Sequence, residues 1–265
     1  FGSRPLVFDQ MLGCRLTRVG RLPKCRGLIS STSHGDHLII EDGRNQPSGA
    51  LIFGHGLGDS PEGWQQPCSR WAQSMPWVRF VLPAAPTQAV TLNGGFPMPA
   101  WYDILGLGDR LEEPAVGAEE SREMWVEHVE SEASQVGGRD RVVLGGFSQG
   151  GAMALYTAMC SDMLPLVAGV VCLSGYLPNV AAIEARRGSL PLAISELPVL
   201  LCHGTDDSMV SLDAAKRTRD ALESFGLKQV ELRTYQGMGH EICLDELDHV
   251  EDWMKNVLPP VPPQL

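Results

Sequence analysis

The first place in this chain where residue types and spacing suggest chemistry is a serine held between two glycines, Gly146–Phe147–Ser148–Gln149–Gly150. A hydroxyl is a poor nucleophile until a base stands within hydrogen-bond reach and a third group orients that base. The glycines are needed for steric reasons. A serine presented on a very tight turn sits in strained backbone, and side chains two residues to either side would collide with the adjoining elements. Residues 142–144, Val-Val-Leu, read as the strand entering such a turn, and residues 152–155, Ala-Met-Ala-Leu, as the helix leaving it. That helix would aim its free N–H groups at the serine, where they can stabilise negative charge on a reacting carbonyl oxygen.

Three histidines follow Ser148, at positions 203, 240 and 249. His240 comes directly after a strand-like stretch, in Gly237–Met238–Gly239–His240, and so falls on a loop at a strand's C-terminal end, where open sheets carry their sites. It is the expected base. His203 closes an apolar run and is expected to pin a loop, and His249 falls inside a helical pattern. In the usual chain order of serine, acid and histidine, Asp206 and Asp207 both qualify as the acid. Their spacing leaves the choice open, and Asp213 lies further into the next helix.

These residues need a scaffold that brings strand ends together. Apolar runs at residues 50–53, 78–82, 141–147, 167–173, 198–203 and 230–235 read as strands. Between them, residues 63–74, 119–136, 149–160, 214–225 and 241–257 read as helices. Trp64 and Trp71 fall on one face of the first, and Gly137 and Gly226 stop two others. Alternating strands and helices imply an α/β fold, with a mostly parallel central sheet and helices on both faces. Residues 83–113 show no clear period, and a loop that long is usually functional. Regular structure is expected from His37 onward, giving one domain over residues 37–265. Residues 1–36 are expected to be a basic, weakly structured extension, with residues 30–35 as linker.

The net charge of −11 argues against a nucleic-acid partner, which calls for a basic stripe. Residues 1–27 run the other way, with Arg4, Arg15, Arg18, Arg21, Lys24 and Arg26 against only Asp9. Cys14 in that stretch is a candidate for lipidation. The seven cysteines are odd in number and contain no C-x-x-C pair, so neither a disulfide framework nor a zinc site is expected. No metal-binding spacing of histidines occurs, and no cofactor is expected. The thiols fit a reducing, cytoplasmic setting. No apolar run is long enough to span a bilayer.

Several blocks in order resemble the acyl-protein thioesterase, lysophospholipase and carboxylesterase family of small α/β hydrolases. They are GHGLGDSPEGW (54–64), PTQAVTLNGGFPMPAWYDILGL (86–107), GGFSQGGAMALY (145–156), LSGYLP (173–178), LCHGTDDSMV (201–210) and YQGMGH (235–240). The resemblance implies an α/β-hydrolase fold and a Ser148–Asp207–His240 triad, Asp207 being the last residue of an H-G-x-x-D pattern. It implies oxyanion donors at the backbone N–H groups of Leu57 and Gln149. His55 and Asp59 are expected to shape the first of those loops. The 83–113 stretch looks like an acyl-binding loop. Leu92, Met98, Trp101 and Ile104, with Val90 and Phe96, are candidates to wall an apolar groove with Tyr176 and Leu177. The implied reaction is removal of S-acyl chains from proteins, with transient contact at a membrane surface. The alternatives are a carboxylesterase or lysophospholipase on small or lipid esters, and a non-catalytic acyl-binding protein.

Overall fold

The computed structural model describes residues 29–34, 37–44, 46–106, 108–160 and 167–261. Most of the basic N-terminal stretch, with Cys14, lies outside the described residues. Eight strands form one sheet. They are β1 (Ile29–His34), β2 (His37–Asp42), β3 (Gly49–Gly54), β4 (Val78–Pro83), β7 (Val142–Phe147), β8 (Gly169–Leu173), β9 (Val199–Gly204) and β10 (Val230–Tyr235). Their spatial order is β1-β2-β4-β3-β7-β8-β9-β10. From β4 to β10 all pairings are parallel, and β2 and β1 are added antiparallel at one edge. A separate hairpin, β5 (Thr87–Val90) with β6 (Phe96–Pro99), lies within the stretch that shows no period in the sequence.

The sequence reading placed residues 30–33 in a linker, but they form β1. Ser30, Ser31, Thr32 and Ser33 are exposed, as suits an edge strand that buries little apolar surface. Such a strand carries no hydrophobic alternation to betray it. The hairpin escaped for a similar reason, because Phe96, Pro97 and Gly94–Gly95 point to solvent.

The central strands read as unbroken apolar runs because both faces are covered. Val142 and Leu144 of β7 pack to one side with Ala50, Ile52, Val170, Val199 and Leu201. Val143 and Phe147 pack to the other with Leu51, Phe53, Val171, Leu173 and Leu200. The first layer is closed by helices α2 (Ala118–Val136), α3 (Gln149–Cys160) and α5 (Leu212–Ser224). The second is closed by α1 (Gln65–Ser74) and α6 (Leu244–Val257). A short helix α4 (Val180–Ala185) follows β8, with Asn179 accepting from the Ala182 N–H at its start. All twelve residues of α3 are buried, so its composition is apolar all round rather than amphipathic. Trp64 and Trp71 stack against Phe53 at 4.5 and 6.0 Å between ring centroids, which anchors α1 beneath β3.

Glu246 breaks the pattern. It stands in the first turn of α6, on the face carrying Leu247, Val250 and Met254, and it is fully buried. Its carboxyl oxygens make no full hydrogen bond. Burial, with the negative charge of Asp207 adding, pushes this carboxyl up to about 8, although the Cys243 backbone N–H pulls the other way. A folded value above the unfolded one near 4.5 means the native state holds the proton more tightly. Stability from this group is therefore complete below the unfolded value and is lost as pH rises from there to about 8. Glu246→Gln removes that loss. In urea unfolding, its stability advantage over wild type is expected to grow toward pH 8, by up to about 1.4 kcal/mol per pH unit. Curves that stay parallel from pH 5 to pH 8 would contradict this.

Candidate active site

Ser148 joins β7 to α3 with φ of 52°, in the left-handed region that a residue with a β-carbon adopts only under strain. Two hydrogen bonds fix the turn. The Ser148 N–H donates to the Leu173 carbonyl at 2.7 Å, and the Ala152 N–H donates to the Ser148 carbonyl at 3.0 Å. The flanking glycines have no room to spare. A β-carbon on Gly146 would lie 2.3 Å from the Gly150 carbonyl carbon, and one on Gly150 would lie 2.1 Å from the Gly54 oxygen.

His240 sits half-buried after β10, and its Nε2 is 3.0 Å from Ser148 Oγ. Its Nδ1 is 2.7 Å from Asp207 Oδ2. The Phe147 ring backs the imidazole at 4.9 Å between centroids. Asp207 is buried at the end of β9, and its other oxygen accepts from the N–H groups of Met209 and Val210, both at 2.9 Å. Burial by itself would raise this carboxyl. The His240 hydrogen bond, the attraction of His240 and the Val210 amide outweigh it and hold Asp207 below the usual carboxylate value. An ionised Asp207 keeps the proton of His240 on Nδ1, which leaves Nε2 free to accept from the serine. Asp206 faces solvent and takes a bond from the Thr205 hydroxyl, so of the two aspartates only Asp207 reaches the histidine.

The other histidines do different work. His203 Nε2 donates to the Val210 carbonyl at 2.8 Å and so pins the loop carrying Asp207. His55 Nδ1 donates to the Gly56 carbonyl at 2.8 Å, and its Nε2 accepts from the Ala85 N–H at 3.0 Å. Both nitrogens are engaged in a way only the neutral ring permits, and burial lowers the His55 pKa in the same direction. His249 packs beside Tyr235, whose hydroxyl lies 3.2 Å from its Nδ1.

Leu57 follows in the loop after β3, where Gly58 has φ of 75° and donates to the Pro99 carbonyl at 2.8 Å. Among the described residues the Leu57 N–H has no acceptor. Gln149 supplies the first N–H of α3, which helix geometry leaves without an intrahelical partner. The arrangement places a base where it can withdraw a proton from Ser148. Two stretches contribute in ways the sequence reading missed, the Phe147 ring behind His240 and the side chain of Gln149. Neither had a signal in residue spacing.

The groove candidates divide. Trp101, Ile104, Tyr176 and Leu177 are at most 2% exposed and belong to the main apolar cluster. Trp101 packs edge-on against Trp125, and the Tyr102 hydroxyl donates to that of Tyr176 at 2.8 Å. These large side chains fill space under the loop instead of lining an open trough. Val90 is also buried. Leu92 and Met98 stay half-buried, with Met98 Sδ over Gly58, and Phe96 is 65% exposed.

A mostly parallel sheet whose strand ends carry a serine on a strained turn, facing a histidine and an aspartate, defines a serine hydrolase of the α/β-hydrolase fold. Residues 35–258 match the Phospholipase/Carboxylesterase family, and the chain belongs to it. Acyl-protein thioesterase 1 of Neurospora crassa is 37% identical over 218 residues, covering 80% of this chain and 87% of that protein. Acyl-protein thioesterase 1 homolog 1 of Dictyostelium discoideum is 38% identical over 216 residues, covering 80% and 92%. The crystal structure of Zea mays acyl-protein thioesterase 2 superimposes with a TM-score of 0.74 at 29% identity, covering 85% of this chain and all of that one.

The Gly54–Gly150 contact is between backbones, so no side chain can swing away to relieve a clash. Gly150→Ala is expected to separate the Leu57 loop from the Ser148 turn and to lower kcat by about 10²-fold or more, the usual cost of losing one oxyanion donor. Turnover and fluorophosphonate labelling rate, measured with the melting temperature, check this. Wild-type kinetics in the variant would show that the approach has no bearing on the site.

Proposed function

We propose that the protein is an acyl-protein thioesterase in which Ser148, His240 and Asp207 act as a catalytic triad. The observation that carries the reading is the unbroken line from Ser148 Oγ through His240 to Asp207, at 3.0 and 2.7 Å. Ser148 Oγ attacks the carbonyl carbon of an S-acyl cysteine while His240 Nε2 takes its proton. The N–H groups of Leu57 and Gln149 hold the developing oxyanion. The C–S bond breaks, the thiol leaves with a proton from His240, and the acyl group remains on Ser148. Water, activated by the same imidazole, then releases the fatty acid. Buried Asp207, held ionised, stabilises the imidazolium at each stage.

The substrates on this reading are S-acylated proteins at a membrane surface. Among the described residues no helix is long and apolar enough to cross a membrane. The described cysteines are all free thiols, in keeping with a reducing, cytoplasmic setting. No step calls for a metal or an organic cofactor.

One observation favours a second reading, a carboxylesterase acting on shorter esters. Five of the eight candidate groove side chains, Val90, Trp101, Ile104, Tyr176 and Leu177, are packed away, and the Tyr102–Tyr176 hydroxyl bond lies among them. Kinetics across acyl lengths on thioester and oxyester substrates separate the two. The thioesterase reading expects a palmitoylated peptide to be turned over with kcat/KM at least equal to that of a butyryl ester, and turnover confined to acetyl and butyryl esters would reject it. Ser148→Ala should lose fluorophosphonate labelling and about 10³-fold or more of kcat, with the fold retained. Undiminished turnover in that variant would remove Ser148 from the mechanism.

A further inference from the structure

The Gln149 side chain does something its backbone role does not require. It is 1% exposed and points back beneath the long loop. Its Oε1 accepts from the Trp101 N–H at 2.9 Å, and its Nε2 donates to the Tyr102 carbonyl at 2.7 Å. The carboxamide thus reads the loop as a neighbouring strand would, through one acceptor and one donor. The loop is in turn fastened to the first oxyanion segment, because Trp101 Nε1 donates to the His55 carbonyl at 2.8 Å and the Pro99 carbonyl accepts from Gly58. Ser121 Oγ donates to the Trp101 carbonyl and closes the set. The residues carrying the two candidate oxyanion donors, Leu57 and Gln149, are therefore tied to one short stretch of the substrate-side loop, 99–102.

We propose that the Gln149 carboxamide is a positioning residue, which holds the loop at Trp101–Tyr102 in register with the oxyanion hole and so keeps the Leu57 and Gln149 N–H groups aimed at one point. This rests on the hydrolase reading above. The pairing is specific to a group with one donor and one acceptor. A thioether in its place leaves the Trp101 N–H and the Tyr102 carbonyl buried without partners, which costs far more than exposing them would. A carboxylate keeps the acceptor but opposes the Tyr102 carbonyl with a second negative oxygen. A protonated carboxyl restores the full pattern, since its O–H can donate where the amide donated.

The test compares wild type, Gln149→Met and Gln149→Glu on a short-chain acyl ester from pH 5.5 to pH 8. An oxyanion donor acts on the transition state more than on bound substrate, so its misalignment falls on kcat. Gln149→Met is expected to lose about 10-fold to 10²-fold in kcat with KM changed less than about threefold, below the full loss of a donor. Gln149→Glu is expected to be similarly impaired at pH 8. Its kcat relative to wild type should recover at least about fivefold toward pH 5.5, as the buried carboxyl takes up a proton. A Gln149→Glu to wild-type ratio that is flat across this range overturns the proposal. So does a kcat loss in either variant that merely follows the fraction folded at the assay temperature. Fluorophosphonate labelling of wild type separates the two levels. An unlabelled Ser148 removes the hydrolase reading and this inference together, whereas a labelled Ser148 with a flat ratio removes the inference alone.

Discussion

Everything at the site depends on how closely two backbones approach where β3 ends and α3 begins. The space a β-carbon would need at Gly150 is already taken by the Gly54 carbonyl, and the space at Gly146 is taken by Gly150. Only with glycine at those positions can the turn at Ser148 fold tightly enough to put φ at 52° and still lie against the His55–Gly58 segment. The consequence is that the segment after β3 and the start of α3, distant in the chain, lie against each other beside Ser148. The strain is tolerated because the turn is over-determined. Its N–H reaches Leu173, its carbonyl reaches Ala152, and the helix after it is buried along its whole length. A short strained segment persists when the packed surroundings leave it no alternative.

Charge at the site is governed by wiring more than by exposure. Asp207 and Glu246 are both buried carboxyls, yet their pKa values move in opposite directions. Asp207 accepts two backbone N–H groups and a histidine proton, and these overcome its burial. Glu246 has only the Cys243 N–H turned toward it, and burial wins. The histidines obey the same logic. His55 and His203 use their ring nitrogens to hold carbonyls, His55 also accepting a backbone N–H, and burial lowers the pKa of both. His240 alone offers an unspent nitrogen to Ser148.

The parts of this arrangement that could be read from sequence are those governed by short-range rules. The glycine spacing around Ser148, the doubly apolar runs of β7, β8 and β9, and a histidine on a strand-end loop each express a local steric or solvation demand. The choice between Asp206 and Asp207 did not follow from spacing, because both stand on the same loop, and only the direction of each side chain separates them. Residues 30–33 hid a strand because an edge strand at the surface has no buried face to write into the sequence. Gln149 was visible as a backbone donor, whereas its carboxamide works across 48 residues and leaves no periodic mark. The resemblance of residues 83–113 to an acyl-binding loop makes Trp101 and Tyr176 candidates for groove walls. Large aromatic side chains serve equally well as packing, and composition cannot tell a wall from a floor.

The closed floor has a physical consequence for any acyl group carried on Ser148. To pass between Tyr102 and Tyr176 a hydrocarbon chain would have to break the buried hydrogen bond between their hydroxyls, at a cost that methylene burial only slowly offsets. Leu57, Leu92 and Met98 keep some exposure beside the loop after β3 and the β5–β6 hairpin. Phe96 protrudes at the same hairpin. The stretch that Gln149 fastens, at Trp101 and Tyr102, follows directly on the hairpin strand β6 (Phe96–Pro99).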